Sequence, residues 1–433
     1  MNTMQRRVFL RTVAAGAGAG ALTTLVGCAA TPIGTARQRV VVIGGGYGGA
    51  TAAKYLRLWT MGTAQELEVV LVEREAAFIS CPLSNLVLGG YEKIENLTTS
   101  YDTLQRKHGV RVVRDEATAI DVAKKEVRLA RGDTLKYDRL IVSPGIDFLY
   151  NQTPGLESAE AQAKVLHAWK AGAQTVALRK QLEALDNGGT YVLHIPKAPY
   201  RCPPGPYERV SQVASYFKAH KPRSKVIVLD ANPDITSKKG LFLKAWTDLY
   251  PGLVEYRASN ELVRVDANSL SIETSFDTVR AGVLNVVPPQ QAGRIAQQAQ
   301  LLNVGGRWAG VDFRSFESAV APGVHVLGDA TASAPGMPKS GFMANNHGKV
   351  AADAVIALLQ GREVNPEPIL ANTCYSFVSE TEVVHVASVH KWNAEQKTLT
   401  AVPGAGGLSS AANALEGQYA KSWARNIWAD ALL

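Results

Sequence analysis

Four cysteines are the residues of this 433-residue sequence best suited to redox chemistry: Cys28, Cys81, Cys202 and Cys374. A thiolate is a nucleophile and a metal ligand, and two thiols can join as a disulfide. The sequence contains no Cys-x-x-Cys-His segment for haem attachment, and its Cys and His spacing matches no zinc site. We therefore expect no haem and no metal on this chain. If Cys28 leaves with a leader, the other three cysteines allow three different pairs.

Cys202 lies in a proline-rich turn at residues 196–208, which ends in the carboxylate of Glu208. A predicted strand precedes this turn and a predicted helix follows it, which is where a nicotinamide-binding domain carries its glycine loop. The five prolines of the turn lack N–H donors and fix φ, so the turn cannot hold a pyrophosphate as a glycine loop does. The sequence predicts no NAD(P)H site here, and a rigid turn that holds a cysteine and a carboxylate.

A dinucleotide-binding pattern stands near the start of the chain. Residues 40–43 are Val-Val-Val-Ile, which predicts a buried strand. The G-x-G-x-x-G positions that follow are Gly44, Gly46 and Gly49. Such glycines permit a tight turn, close approach of a pyrophosphate and packing of the next helix. A second strand at residues 67–72 ends at Glu73, which is placed to hold a ribose hydroxyl.

The middle of the chain repeats this order. A strand at residues 190–195, a turn, a helix and a strand at residues 225–230 ending in an acid predict a second domain of the same kind. Before it, short strands at residues 110–113 and 126–129 predict a β-hairpin excursion. Residues 159–185 predict a helical connection into the second domain.

A later strand ends in Gly328 and Asp329. This pattern is similar to the second FAD signature of flavoproteins with two dinucleotide domains, whose Asp contacts the ribityl chain. Lys339 and Ser340 then precede a predicted helix at residues 343–359, whose N-terminus would face the flavin. We therefore expect the first domain to be completed by this late segment.

The N-terminus predicts the cellular location. Residues 5–11 resemble a twin-arginine export signal, with Gln5 in place of the usual Ser or Thr. Residues 25–28 also resemble a lipobox, in which a lipidated Cys28 would be the first mature residue; ordinary cleavage nearby is the alternative. We expect a periplasmic protein that meets the membrane only through lipidation at Cys28. Disulfides persist in that compartment.

Composition excludes several classes of protein. With 46% hydrophobic and 19% charged residues, the chain is an ordinary globular one, long enough for two or three domains. Three of the charges that give a net +8 lie in the predicted leader, and no basic run with interleaved aromatic residues indicates nucleic-acid binding.

Taken together, these motifs resemble one family: the flavoprotein subunit of flavocytochrome c sulfide dehydrogenase, of the FAD-dependent pyridine nucleotide-disulfide oxidoreductase superfamily. The resemblance covers nearly the whole mature chain and is carried by residues 81–85, 89–90, 167–172, 201–209, 288–290, 337–341, 372–376 and 419–423. It implies an α/β fold with two Rossmann-like dinucleotide-binding-type domains of the glutathione reductase kind and a C-terminal α+β interface domain. The expected divisions are a signal peptide at 1–28, an FAD-binding domain at 38–148 and 288–362, a second domain at 149–287, and an interface domain at 363–433.

The resemblance also implies roles for single residues. Cys81 would be the covalent thioether anchor of FAD, although its position alone also fits a buried small hydrophobe. Cys202 and Cys374 would form a redox-active disulfide over the flavin, with Glu208 nearby to handle protons; a purely structural disulfide is the alternative. The implied activity is oxidation of hydrosulfide to sulfur or polysulfide, with electron transport to a mono- or dihaem cytochrome c subunit. Haem would then sit only on that partner.

Two other functions fit parts of the same sequence. A sulfide:quinone oxidoreductase would share the fold and the disulfide chemistry but needs a quinone pocket. An accessory flavoprotein that reactivates a periplasmic thiosulfate-oxidising complex would belong to sulfur oxidation without turning over sulfide itself.

Overall fold

The apolar run near the start of the chain forms the central strand Arg39–Ile43 of a seven-stranded sheet. β-Branched residues favour strands, and Val40, Val41 and Val42 have no exposed surface because other elements pack on both faces of the sheet. The strand runs parallel to both of its neighbours. The strands follow the order Val311–Asp312, Glu317–Ser318, Val324–Val326, Arg139–Val142, Arg39–Ile43, Glu68–Val72 and Arg111–Val113.

The structure is a computed structural model and describes residues 37–433, which form one compact unit. The predicted export signal and Cys28 lie outside the described residues. The helices are α1 (Tyr47–Thr60), α2 (Ser84–Gly89), α3 (Asp102–Arg106), α4 (Ala159–Lys164), α5 (Ala173–Ala184), α6 (Gly205–His220), α7 (Lys239–Leu249), α8 (Arg294–Gln298), α9 (Gly341–Leu359) and α10 (Ala414–Leu432). Short two- and three-stranded sheets contain Ala77–Ile79, Thr98–Ser100, Ala117–Asp121, Glu126–Leu129, Thr134–Lys136, Ile146–Phe148, Leu262–Asp266, Ser271–Thr274, Thr278–Arg280 and Gln290–Ala292.

A second parallel sheet is built by the middle of the chain. Its strands follow the order Val254–Arg257, Lys225–Asp230, Thr190–Ile195 and Val283–Val286. The predicted strands at residues 190–195 and 225–230 are confirmed residue by residue. Helix α6 follows the first of them directly after the proline-rich turn, so this turn lies at the carboxyl edge of the second sheet.

Two expectations for secondary structure were wrong. Residues 159–185 do not form one helical connection: α4 and α5 are separated by an irregular segment, in which Ala168 has a φ of 44°. Arg209 holds that segment open by donating to the carbonyl oxygens of His167 and Ala168, at 2.7 and 2.6 Å. The strand Arg111–Val113 pairs in parallel with Glu68–Val72 at the edge of the main sheet, so it is not part of a hairpin.

The last segment forms an antiparallel sheet of Ile369–Phe377, Val383–Asn393 and Thr398–Leu408, followed by α10. Helix α10 packs against the first domain, where the Trp428 indole donates to the hydroxyl of Tyr47 at 3.0 Å. Within residues 37–433 no helix has both the length and the apolar character needed to cross a membrane.

A buried histidine makes the stability of this fold depend on pH. His194 is 4% exposed, and burial lowers its pKa to about 4. Above about pH 6.5 it is neutral in both states; below that, the unfolded chain binds a proton that the native chain refuses. We expect this residue to remove about 2 kcal/mol of unfolding free energy between pH 7 and pH 5, with no further loss below pH 4.

Urea unfolding at the two pH values measures this effect. In His194→Gln the acid-induced loss should shrink by that amount, while the control His220→Gln, at an exposed position, should keep the full loss. An equal loss in wild type and His194→Gln would contradict the assignment.

Candidate active site

The glycine loop has the geometry that a dinucleotide phosphate requires. Gly44 has a φ of +93°, and a Cβ there would lie 2.3 Å from the carbonyl oxygen of Ser143. A Cβ on Gly49 would lie 1.9 Å from the carbonyl oxygen of Gly44, whereas a Cβ on Gly46 would meet nothing within 4 Å. The loop is therefore tight against its own chain at two glycines and open at the third, where a ligand can approach.

Glu73 lies beside this loop. Its Oε2 accepts from the backbone N–H of Gly45 at 2.6 Å, and its Oε1 accepts from the N–H of Glu75 at 2.8 Å. The parallel pairing of Arg39–Ile43 with Glu68–Val72 brings the two together, because carboxyl ends of parallel strands meet at one sheet edge.

Gly328 and Asp329 reach the same edge through the parallel strand Val324–Val326. Among residues 37–433 no hydrogen bond reaches the buried Asp329 Oδ1, and burial raises the pKa of this carboxyl against the opposing effect of Arg201. Lys339 donates to the carbonyl oxygens of Asp329, at 3.0 Å, and of Thr331. Burial lowers the pKa of Lys339 to about 8.

These features fit FAD. A buried carboxylate oxygen without a partner calls for a hydroxyl donor such as a ribityl or ribose group. The open space at Gly46 and the N-terminus of α1 suit a pyrophosphate. The individual roles of Gly44, Gly46, Gly49, Glu73, Gly328, Asp329, Lys339 and Ser340 stay predictions.

Cys81 is half-buried in the loop before α2. This loop is joined to the proline-rich turn through Asn85, whose amide donates to Glu208 Oε2 at 2.8 Å and to the Gly205 carbonyl at 3.2 Å. Arg201 from the turn lies near Cys81. Burial lowers the pKa of the Arg201 guanidinium, and Cys81 raises it. The structure thus brings the predicted flavin anchor next to the segment that carries Cys202.

Cys202 has a left-handed backbone, with a φ of 58°, at the start of α6. Non-glycine residues adopt this conformation only when their surroundings impose it. Here the N–H of Cys202 donates to the carbonyl oxygen of Lys339 at 2.8 Å. Its sulfur packs so closely on Gly205 that a Cβ at that glycine would lie 2.9 Å away. Burial raises the pKa of the thiol, and nearby Cys374 raises it further.

Glu208 is buried between the segments that carry the other two cysteines. Its Oε1 accepts from the N–H of Phe377 at 2.9 Å, and its Oε2 accepts from Asn85. Burial raises the pKa of Glu208, while these two hydrogen bonds lower it. A raised pKa makes a carboxylate a stronger base, which suits a group that exchanges protons beside thiols.

Cys374 lies on the strand Ile369–Phe377 of the last sheet. The amide of Asn372 donates to its sulfur at 3.3 Å, and Lys238 donates to its carbonyl oxygen at 2.9 Å. Burial raises the pKa of this thiol, whereas the charge of Lys238 and the bond from Asn372 lower it.

Lys238 and Asn372 are site residues that the sequence did not single out. Lys238 is 5% exposed and immediately precedes Lys239, which is exposed and pairs with Asp234 at 2.5 Å. The sequence does not indicate which of two adjacent lysines at the start of a helix is buried. Only the tertiary structure shows that it is Lys238.

The three described cysteines are free thiols in the structure. Beyond the effect of burial, Cys374 raises the pKa of the Cys202 thiol and Glu208 raises the pKa of both thiols, so the three groups lie in one site. The pairing of Cys202 with Cys374 and the thioether at Cys81 stay predictions. Residues 37–433 contain no cluster of three or more His, Cys, Asp or Glu side chains arranged to hold a metal ion.

Comparison with known families matches three parts of the chain. Residues 38–184 match the pyridine nucleotide-disulphide oxidoreductase family. Residues 175–288 match the central part of the sulfide dehydrogenase [flavocytochrome c] flavoprotein chain, and residues 366–432 match the flavin-binding part of flavocytochrome c sulphide dehydrogenase.

Single relatives agree with these matches. The sulfide dehydrogenase [flavocytochrome c] flavoprotein chain of Chlorobaculum thiosulfatiphilum is 52% identical over 50 residues, 12% of this chain and 96% of that one. The mitochondrial sulfide:quinone oxidoreductase of Dictyostelium discoideum is 23% identical over 306 residues, 68% of this chain but only 65% of its own length.

Solved structures confirm the predicted fold. The sulfide:quinone oxidoreductase of Aquifex aeolicus superposes with a TM-score of 0.72 at 17% identity over 91% of both chains. The α/β fold of pyridine nucleotide-disulfide oxidoreductases, with a flavin-binding site, is therefore established for this chain. Together with the match to both sulfide dehydrogenase models, this places the protein in the flavoprotein-chain family of flavocytochrome c sulfide dehydrogenases.

Proposed function

We propose that this flavoprotein oxidises hydrosulfide to sulfur or polysulfide at a Cys202–Cys374 disulfide and passes the electrons through FAD to a cytochrome c subunit. One observation carries the proposal: two half-buried cysteines from distant parts of the chain share a single site with the buried Glu208. Membership in the sulfide dehydrogenase [flavocytochrome c] family supports sulfide as the substrate and a cytochrome as the partner.

FAD would be held by the glycine loop, Glu73, Asp329, Lys339 and Ser340, with Cys81 as its covalent anchor. When bound, FAD accepts two electrons from a dithiol and releases them one at a time. This ability suits a two-electron donor such as sulfide and a one-electron acceptor such as haem.

The chain's own residues would do the sulfur chemistry. Hydrosulfide opens the disulfide by thiol–disulfide exchange, and this leaves a persulfide on one cysteine and a thiolate on the other. Lys238 stabilises negative charge in the site. Glu208 takes the proton released when sulfur leaves, because burial raises its pKa and so makes it a stronger base than an exposed glutamate.

We propose that NAD(P)H does not donate electrons to this protein, because the acid that would hold its ribose is already engaged by two tyrosines. Asp230 ends the second strand of the second sheet, where a nicotinamide domain would hold a ribose. It has no exposed surface, and its Oδ2 accepts from Tyr207 at 2.7 Å and from Tyr256 at 2.9 Å. The proline-rich turn lies beside Asp230 and cannot hold a pyrophosphate. We therefore propose that electrons enter the protein at the cysteines.

The location belongs to the same proposal. The sequence motif at residues 5–11 supports export to the periplasm, the compartment in which a soluble cytochrome c would meet this protein. We also propose that a lipid on Cys28 attaches the protein to the membrane. The mass of the mature chain tests this directly.

Anaerobic reduction assays test the function. Purified holoprotein should reduce cytochrome c with sulfide, faster when its cytochrome subunit is present. Sulfide-dependent reduction of a soluble quinone in preference to cytochrome c would instead make the protein a quinone reductase. Failure to turn over sulfide with either acceptor would overturn the proposal in favour of an accessory role.

Covalent flavin attachment gives a separate prediction. Acid- or urea-denatured wild-type protein should keep its yellow flavin on the chain after gel filtration, and Cys81→Ser should release it all. Asn85→Asp, a nearby change in the helix that follows Cys81, leaves the thiol in place and should keep the flavin attached. Complete release of flavin from denatured wild type would contradict a thioether at Cys81.

A further inference from the structure

The two half-buried thiols, Cys202 and Cys374, have unequal surroundings. Cys374 Sγ receives a hydrogen bond from the side-chain amide of Asn372 at 3.3 Å. Among residues 37–433 no hydrogen bond reaches Cys202 Sγ, which packs against Gly205. An amide donor stabilises a thiolate more than a thiol. The hydrogen bond therefore favours negative charge on the sulfur of Cys374 over that of Cys202.

The orientation of Asn372 is fixed by its neighbours. The N–H of Met343 donates to Ser340 Oγ at 3.0 Å, and Ser340 Oγ donates to Asn372 Oδ1 at 2.6 Å. Ser340 engages the amide oxygen, and the amide nitrogen lies closer to the Cys374 sulfur, at 3.3 Å against 3.7 Å for the oxygen. This chain of donors begins at the N-terminus of the 19-residue helix α9, whose dipole favours a negative charge there.

Lys238 adds a full positive charge. Its ammonium group donates to the Cys374 carbonyl at 2.9 Å, to Ser376 Oγ at 2.7 Å and to the Val384 carbonyl at 3.1 Å. All three of its protons are used, so the ammonium is held on the strand that carries Cys374. The backbone of Lys238 is left-handed, with a φ of 57°. This conformation determines the direction in which the side chain leaves the backbone.

On the basis of the proposed function, we propose that hydrosulfide attacks Cys202 and that Cys374 is the leaving thiolate, with Asn372 and Lys238 as the positioning residues that determine this order. The sulfur of hydrosulfide bonds to Cys202 Sγ, and the bond between Cys202 and Cys374 breaks. Its electron pair goes to Cys374 Sγ, while the proton of hydrosulfide stays on the terminal persulfide sulfur. The disulfide is the oxidant, so the step needs no other.

The pKa values of the two leaving thiols determine how strongly hydrosulfide prefers one sulfur of the disulfide over the other. In thiol–disulfide exchange the thiol of lower pKa leaves faster. A difference of about two pKa units between the two leaving thiols changes the rate about tenfold at a Brønsted coefficient near 0.5. Burial raises the pKa of both thiols. The charge of Lys238 lowers the pKa of both, and Arg201 also lowers that of Cys202, but it is Cys374 that receives the hydrogen bond from Asn372. Cys202 receives no such hydrogen bond.

Persulfide mapping on the holoprotein tests the order of attack. Peptides of the oxidised, untreated protein must first contain a Cys202–Cys374 cross-link, and its absence would overturn the proposed function itself. The protein is then mixed anaerobically with one equivalent of sulfide and quenched with an alkylating agent. We expect one extra sulfur on the Cys202 peptide in about tenfold excess over the Cys374 peptide.

The other outcomes separate the two proposals. Extra sulfur mainly on Cys374, or equally on both peptides, would overturn the order of attack while the proposed function stands. Extra sulfur on neither peptide, with the cross-link intact, would show that sulfide does not attack this disulfide and would overturn both.

Variants of Lys238 test the charge. The titratable groups that face it are Cys202, Glu208, Cys374 and Glu416. Because burial lowers its pKa to about 8, we expect the rate of flavin bleaching by sulfide to fall above pH 8 as the ammonium loses its proton. Lys238→Met should bleach about tenfold more slowly at pH 7 and lack this alkaline fall.

The controls distinguish charge from structure. Lys238→Arg keeps a cation at high pH, so its bleaching rate should not fall above pH 8, and this variant decides the question if Lys238→Met does not fold. Lys239→Met removes the exposed neighbouring lysine and should match wild type. A wild-type pH profile in both Lys238 variants would overturn the role of its charge.

Discussion

Replacing Cys202 by Ser is expected to abolish flavin bleaching by sulfide while FAD stays bound. The serine hydroxyl cannot form the disulfide with Cys374, so hydrosulfide has no sulfur to attack. Loss of a residue that forms a covalent bond with substrate costs roughly 1000-fold or more in rate. Anaerobic stopped-flow absorbance after mixing with sulfide measures the effect.

Two controls accompany this variant. Dithionite should still bleach its flavin, which would show that the cofactor is bound and reducible. Cys374→Ser should lose bleaching to the same extent, because the disulfide needs both sulfurs. Normal bleaching of Cys202→Ser by sulfide would rule out the disulfide mechanism.

Gly49→Ala is expected to have the second large effect, on the fold of the glycine loop. The added Cβ would lie 1.9 Å from the Gly44 carbonyl oxygen, and that neighbour is backbone that cannot move aside. Overpacking of this kind costs about 1–3 kcal/mol and sometimes more. We expect a lower urea midpoint and almost no FAD in the purified protein.

Gly46→Ala is the matched control for that variant. Its Cβ would meet nothing of the chain within 4 Å, so the FAD-free protein should unfold at the wild-type urea concentration. Its affinity for FAD should nevertheless fall, because the methyl group would occupy the space proposed for the pyrophosphate. Unchanged affinity would mean that the phosphates lie elsewhere.

Local chemistry made much of the fold predictable. The valine run, the spaced glycines and the acid after the next strand act through sterics and hydrogen bonds between near neighbours, which sequence displays directly. The strands at residues 190–195 and 225–230 were predicted for the same reason. The fold class followed from this repeated order of elements.

Interactions between distant residues caused the failures. The helical pattern at residues 159–185 is interrupted because Arg209, far along the chain, takes the carbonyl oxygens of residues 167 and 168. The strand Arg111–Val113 joined the main sheet because Glu68–Val72 offered a free parallel edge. Neither partner is visible from the local pattern, since each is chosen by packing of the whole domain.

Some features of the cysteine site were predictable from the sequence, and others depend on the tertiary structure. The sequence by itself determined a dinucleotide fold, a rigid proline-rich turn with Cys202 and Glu208, and, through family resemblance, the cysteines to consider. Only the tertiary structure decided that Cys374 arrives with Asn372 and Lys238 beside it, and that Lys238 rather than Lys239 is buried. The physical reason is that motifs record short-range geometry, whereas burial and charge at a site depend on segments that meet only after folding.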